Sequence, residues 1–314
     1  MYIFYWLSMY EAYFNLKERP FSISPDPRFF YLTAQHKEAL TNCQYMITNR
    51  VGPVYVHGDV GTGKTTIARR LYQQLLDDPH YILAMIISPN LKSSNALLRL
   101  IMKEFHVKTD KKYENSLTLF GEFLQDSAVK GKVPVLFIDE AQLLKPDMLE
   151  LVRFLLNFET NTQKLLQIVL FGQNELAMNL ESKKELKSRM YRSALASLNR
   201  SDMENMIQFR FQIAGGEKHP FTPDGLDELY KLTLGLPREI CKVTDMALLR
   251  AMVNNTYEVT ADIVRQTAAQ LAINEQEDTA VVDKPHKTRA AAERQNKARA
   301  NTKLWQTQAA CFQS

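Results

Sequence analysis

The sequence predicts an α/β fold, a parallel sheet covered by helices on both faces, followed by a small all-helical domain. Three observations carry this. Apolar runs of strand length alternate with segments of helical periodicity between residues 54 and 171, the pattern of a parallel sheet buried on both faces. One run leads into Gly58-Asp59-Val60-Gly61-Thr62-Gly63-Lys64-Thr65 and then a helix, and another ends in Asp139-Glu140. Beyond Lys218 only helical patterns remain.

Taken in order, 35–49 is predicted as a helix with Leu40, Cys43 and Ile47 on one face. Residues 54–57 form a short strand ending at glycine, and 65–76 form a helix with Ile67, Leu71 and Leu75 at helical spacing. A buried strand is expected at 81–87, a helix at 95–105, and a second at 116–128 carrying Leu117, Phe120, Leu124 and Ala128 on one stripe. Strand 133–138, helix 146–158 and strand 166–171 complete the alternation. Ser201-x-x-Glu204 reads as a capping box opening a helix that Gly215-Gly216 closes. Thr222-Pro223-Asp224 supplies an N-cap, a Pro at N1 and an early acid for a helix ending at Gly235. Pro237 opens a helix reaching about Asn254, and Thr260 with Asp262 caps a last one ending near Ile273.

The 314 residues suffice for about two domains at roughly 150 residues each. With 45% hydrophobic and 24% charged residues, disordered, collagen-like and coiled-coil classes are excluded for the bulk of the chain. No apolar run approaches the ~18 residues of a membrane span, and the apolar N-terminus lacks the basic region and cleavage site of a signal peptide. Either Met1 or Met9 suits a start. Cys43, Cys241 and Cys311 make no even framework, which fits a reducing cytoplasm, and the six histidines are too scattered for a zinc site. Charge is uneven. From Lys284 onward seven Lys or Arg face Glu293 alone, leaving 32 basic and 34 acidic side chains in residues 1–283. Such a tail suits either solvation or sequence-independent contact with nucleic-acid phosphates.

The loop 58–65 matches the phosphate-binding pattern G-x-x-x-x-G-K-[ST] between a strand and a helix, with Thr66 continuing the helix. Its glycines let backbone N–H groups converge on phosphates, aided by the helix N-terminus. Lys64 is expected to reach the β- and γ-phosphates, and the Thr65 hydroxyl to complete a Mg²⁺ shell. The acid pair ends a buried strand at the sheet edge where ligands bind. There Asp139 suits the same Mg²⁺ shell, and Glu140 suits a general base for the attacking water. An acid pair alone would equally suit a helix N-terminus. At the next strand end, Gln173 or Asn174 could orient the lytic water, or cap the following helix. Arg189 and Arg192 precede an expected last strand, where either could be an arginine finger on a neighbouring subunit or a surface ion pair. Pro237-Arg238 places a cation in a helix's first turn, where a phosphate partner would explain it.

With these motifs in order, the chain resembles the AAA+ ATPases, and more narrowly the general-secretion-pathway protein A (ExeA-like) group. The resemblance covers about residues 9–273. It is most specific in Phe14-x-Leu16, Pro20-Phe21, Pro25-Asp26-Pro27, Tyr31 and His36-x-Glu38-Ala39-Leu40, with Asp139-Glu140-Ala141-Gln142, Gly172-Gln173-x-Glu175-Leu176 and Gly235-x-Pro237-Arg238. It implies a P-loop NTPase sheet with a helical lid, ATP and Mg²⁺ as ligands, Gln173 as sensor 1 and Arg238 as sensor 2. It also implies that 21–31 lies near the adenine. The corresponding domains are 1–34, an aromatic and proline-rich segment packing on the core; 35–217, the ATPase domain; 218–276, the lid; and 277–314, the basic tail.

Secretion members of the group usually continue into a transmembrane helix and a periplasmic peptidoglycan-binding region, and neither is expected in residues 1–314. A short chain of this type also resembles the transposition ATPases of the TnsC, TniB and Mu B kind. The expected function is an ATP-hydrolysing switch that self-associates with ATP and acts on a partner. A DNA-bound regulator working with a transposase, and a nucleotide-dependent binding module with little turnover, stand as alternatives.

Overall fold

The computed structural model describes residues 9–22, 26–161 and 163–271. Residues 1–8, Pro25, Cys311, the basic segment 277–314 and the expected helix end at Ile273 lie outside the described residues. The described residues belong to one unit, Met1–Leu271.

Strands β1 (Val54–Gly58), β2 (Tyr81–Ile86), β3 (Val133–Ile138), β4 (Gln167–Gly172) and β5 (Tyr191–Leu195) form one parallel sheet in the order β2-β3-β4-β1-β5. β1, β3 and β4 are buried at every position, which is why their sequences are continuous apolar runs and not alternations. Successive side chains then divide between two cores. Val54, Val56, Val135, Phe137, Val169 and Phe171 pack with Cys43 and Ile47 of helix α2 (Ala34–Thr48) and with Ile67 and Leu71 of α3 (Lys64–Leu76). Tyr55, Leu136, Ile138, Ile168 and Leu170 pack on the other face. There they meet Leu97 and Ile101 of α4 (Ser94–Glu104), Phe120 and Leu124 of α5 (Tyr113–Val129), and Leu149 and Val152 of α6 (Pro146–Leu155). Each such side chain contributes about 1.5–3 kcal/mol on full burial, so both faces hold the sheet. The result is the expected three-layer α/β sandwich.

α1 (Met9–Tyr13) precedes these elements, and α7 (Asn174–Glu181) and α8 (Lys184–Lys187) connect β4 to β5. Arg192 therefore lies within the last strand, where its backbone pairs beside Tyr55, and only Arg189 precedes it. α9 (Arg200–Ile213), α10 (Pro223–Thr233), α11 (Pro237–Val253) and α12 (Ala261–Gln270) complete the chain of described elements. Val243, Ala247, Leu248, Leu229 and Val264 are fully buried among the last three.

Several expected boundaries move for identifiable reasons. Helix α6 stops at Leu155, because Glu159 and Lys164 bridge in an antiparallel turn that leads the chain back to β4. α9 is capped by Asn199, whose Oδ1 accepts the Asp202 amide at 2.7 Å, so Ser201 already sits inside the helix. α10 begins as expected, with Thr222 Oγ1 accepting the Gly225 amide at 3.3 Å, but ends at Thr233 with Leu234 in the left-handed region. Thr260 makes no side-chain cap to α12; the Ala261 amide donates instead to Asp224 Oδ2 at 3.1 Å.

The N-terminal segment divides its contacts. Tyr10 and Arg19 both donate to Asp245 of α11, and the Phe14 ring lies 5.2 Å from that of Tyr257. Phe30, in contrast, packs on His36 of α2 with ring centroids 5.1 Å apart. This placement brings residues 26–31 to the C-terminal edge of the sheet.

Candidate functional site

The 58–65 loop closes over the C-terminal end of β1. Gly61 and Gly63 have φ of +88° and +94°, in the left-handed region that favours glycine. A Cβ at Gly61 would stand 2.9 Å from Arg238 Cβ, and one at Gly63 would stand 3.2 Å from His36 Nε2. His36 secures the loop. Its Nε2 lies 2.9 Å from the Thr62 carbonyl, while the Thr33 amide approaches its Nδ1 at 3.3 Å to close the cap of α2. Burial pushes the imidazole pKa down, and the neutral tautomer with its proton on Nε2 satisfies both contacts.

Lys64 is buried and donates to the carbonyls of Gly58 and Asp59 at 2.8 and 2.7 Å. Burial lowers its pKa, opposed by the carboxylates of Glu140 and Asp139. A phosphate oxygen is a stronger acceptor for such a cation than a neutral carbonyl. Thr65 Oγ1 donates to Asp139 Oδ2 at 2.7 Å, and Asp139 Oδ1 accepts the Glu140 amide at 2.9 Å. Asp139 is 5% exposed, and burial raises its pKa despite those two bonds. A buried carboxylate beside a hydroxyl, with no cation paired to it in a salt bridge, fits a hard divalent cation held through oxygen ligands or water. Among the described residues no three His, Cys, Asp or Glu gather as a self-sufficient metal site, so such an ion would share its shell with a nucleotide.

Glu140, Gln173, Pro237 and Arg238 line the same cavity of about 440 Å³ as Val60, Gly61, Thr62, Gly63, Lys64, Thr65 and Thr66. That volume lies in the range of small-molecule sites, roughly 300–1,000 Å³. Asp26, Phe29, Phe30 and Tyr31 form a further part of its wall, with Arg210 and Cys241 from α9 and α11. Apolar rings beside the loop and Lys64 suit a ligand that joins a flat apolar group to anionic ones. Arg210 was not foreseeable from sequence. It donates from Nε to the Phe29 carbonyl at 2.9 Å and from Nη1 to Cys241 Sγ at 2.6 Å, joining three segments of that wall.

Arg189 and Arg192 do not line the cavity. Arg189 Nη1 donates to Asn157 Oδ1 at 2.6 Å on the exposed surface. Arg192 starts a relay toward the loop: its Nε donates to His57 Nε2 at 2.7 Å. His57 Nδ1 meets Asn174 Oδ1 at 2.9 Å, and Asn174 Nδ2 donates to Asp59 Oδ1 at 2.6 Å. Every donor in this chain finds an acceptor when His57 is neutral with its proton on Nδ1. Asn174 is thus committed to the loop side chain, and Gln173 alone of the pair faces the cavity.

The Asp139 environment gives a testable sign. A carboxyl whose folded-state pKa exceeds its unfolded value loses stability as pH rises through that interval, and the cost is complete above the folded pKa. Asp139→Asn is therefore expected to melt at the same or a higher temperature than the wild type at pH 8 without nucleotide. It should also lose any stabilisation that a divalent cation adds to the wild type. A clear drop in the melting temperature of the nucleotide-free variant would show that Asp139 is structural.

A family model described as an AAA domain matches residues 48–180. General secretion pathway protein A of Aeromonas hydrophila is 38% identical over 258 residues, covering 80% of this chain and 46% of that protein. The chain thus spans about half the length of this relative. Among solved structures, the ORC2 protein of Aeropyrum pernix in ADPNP–ADP complexes aligns with a TM-score of 0.58 at 16% identity, over 81% of this chain and 72% of that one. Drosophila ORC bound to DNA aligns at 0.62 and 19% identity, over 81% and 64%. Cdc6p of Pyrobaculum aerophilum aligns at 0.57 and 19%, over 80% and 70%. These structural likenesses establish the shared fold. No helix among the described residues is long and apolar enough to cross a membrane.

Proposed function

We propose that this chain, which carries a matching AAA domain and is similar to general secretion pathway protein A, is an AAA+ P-loop ATPase that binds Mg²⁺–ATP between loop 58–65 and α11 and hydrolyses it. The observation that carries this reading is the convergence of Lys64, the Thr65–Asp139 pair at 2.7 Å and Glu140 at one strand edge. Loop amides and Lys64 hold the β- and γ-phosphates. Thr65 and Asp139 would hold Mg²⁺, whose charge offsets that of the phosphates. Glu140 takes a proton from water as its oxygen bonds to the γ-phosphorus; the bond from that phosphorus to the bridging oxygen breaks, and ADP leaves with the electron pair. Gln173 orients that water. Arg238, whose guanidinium has no hydrogen bond or ion pair with a described residue, closes onto the γ-phosphate from the lid. Phosphate release in the presence and absence of a chelator tests the reading. Release that persists in excess chelator would remove Mg²⁺ from it.

The switch acts through assembly. Arg189, exposed and outside its own cavity, is the arginine offered to a neighbouring subunit, whereas the relay through His57 keeps Arg192 in its own subunit. Light scattering is expected to show larger particles with a slowly hydrolysed ATP analogue than with ADP. Mixing Arg189→Ala with Lys64→Ala subunits should recover activity that neither has alone. Recovery from Arg192→Ala and not from Arg189→Ala would reverse the assignment. Equal particle sizes and no recovery from either would refute assembly at this site. The partner on which the switch acts is a component of a secretion apparatus, following the similarity to general secretion pathway protein A.

A further inference from the structure

Between the acid pair and the end of β4 sits Gln142, and both ends of its amide are engaged. Its Nε2 donates to Glu140 Oε2 at 2.5 Å, and its Oε1 accepts the backbone N–H of Gln173 at 3.1 Å. The orientation is fixed by chemistry. A flipped amide would set NH₂ against an N–H donor and oxygen against a carboxylate. The site is shaped around this bridge. Glu140 stands at φ 51°, ψ 37°, a left-handed conformation that costs a non-glycine residue energy and turns its side chain back over the short helical turn bearing Gln142. Gly172 leaves the space for the amide, since a Cβ there would lie 3.0 Å from Gln142 Oε1 and 2.8 Å from Leu176.

We propose that Gln142 is a positioning residue that aims the Glu140 carboxylate and ties it to the strand end carrying Gln173. The base and the water-orienting amide then move as one unit. A shift of Gln173 as it meets a γ-phosphate is passed through one side-chain amide to Glu140. The inference rests on the reading of Glu140 as the general base. Gln142 is not among the residues lining the cavity, so its loss is felt in turnover and not in binding. Misplacing a catalytic group by about 1 Å is enough to cost on the order of 10²-fold.

Two variants separate positioning from mere support of the turn. Gln142→Leu removes both bonds. Gln142→Glu keeps an acceptor for the Gln173 amide but sets one carboxylate against another at Glu140. The expected result is a kcat lowered about tenfold to a hundredfold in both variants, with KM and the dissociation constant for ATP within about twofold of wild type and melting temperatures unchanged. Wild-type kcat in Gln142→Glu, or a raised KM at unchanged kcat in both, overturns the inference. Glu140→Gln measured in parallel keeps the two failures apart. If it is inactive while Gln142→Glu is unimpaired, only the positioning role falls. If it turns over at the wild-type rate, the general-base reading falls and takes the positioning role with it.

Discussion

Replacing Glu140 by Gln is expected to leave ATP binding intact and to lower the rate of phosphate release by about 10²–10⁴-fold, the contribution of a positioned general base. The substitution is nearly isosteric, and the new amide can present its oxygen to Gln142 Nε2, so little else changes. The carboxylate is lost at the point where a proton must be accepted, and the other acid lining the cavity among the described residues, Asp26, is bound to Arg28. Asp139, beside Glu140 in the chain, is already engaged by Thr65 and by the Glu140 amide. With hydrolysis blocked, the ATP-bound form should accumulate, and particle size in light scattering should persist with ATP itself. Wild-type turnover in this variant would mean that another group accepts the proton.

Lys64→Ala should act one step earlier. The ammonium is buried against the carbonyls of Gly58 and Asp59, so the cation is already desolvated and aimed along the loop. A phosphate gains a charge-assisted bond there at about 1.5–3 kcal/mol each, and losing one or two raises the dissociation constant roughly 10–10⁴-fold at about 1.4 kcal/mol per factor of ten. The fold should survive, because burial works against the charged ammonium and its removal relieves that cost. Fluorescent-nucleotide titration checks this. Wild-type affinity in Lys64→Ala would place the phosphates elsewhere.

Much of the candidate site's geometry was legible in the sequence because a loop that turns its backbone N–H groups inward leaves few choices of residue. Backbone N–H groups can converge only where glycine tolerates φ near +90°, so Gly61 and Gly63 mark the loop. Fully buried strands read as continuous apolar runs, which made β1, β3 and β4 visible, with β3 at its observed limits. β5 was harder, since an edge strand alternates exposed and buried residues over only five positions. That blurred whether Arg192 precedes the strand or lies in it. The cap of α9 went to Asn199 because Asn199–Asp202 offers the same three-residue spacing as Ser201–Glu204, and local spacing cannot rank them. Contacts between distant segments were invisible. His36 meets the Thr62 carbonyl across 26 positions and His57 meets Asn174 across 117, and no periodicity encodes either. Arg210 lies in the last turn of α9 without a motif, and its role follows only from where Phe29 and Cys241 end up.

The most direct test of the whole account is steady-state phosphate release by the purified protein given ATP and Mg²⁺, beside Glu140→Gln at equal concentration. The account predicts release from the wild type that stops in excess chelator, with the variant bound to ATP but about 10²-fold or more slower. Equal rates for the two proteins, or no release from the wild type above that of the variant, would contradict it.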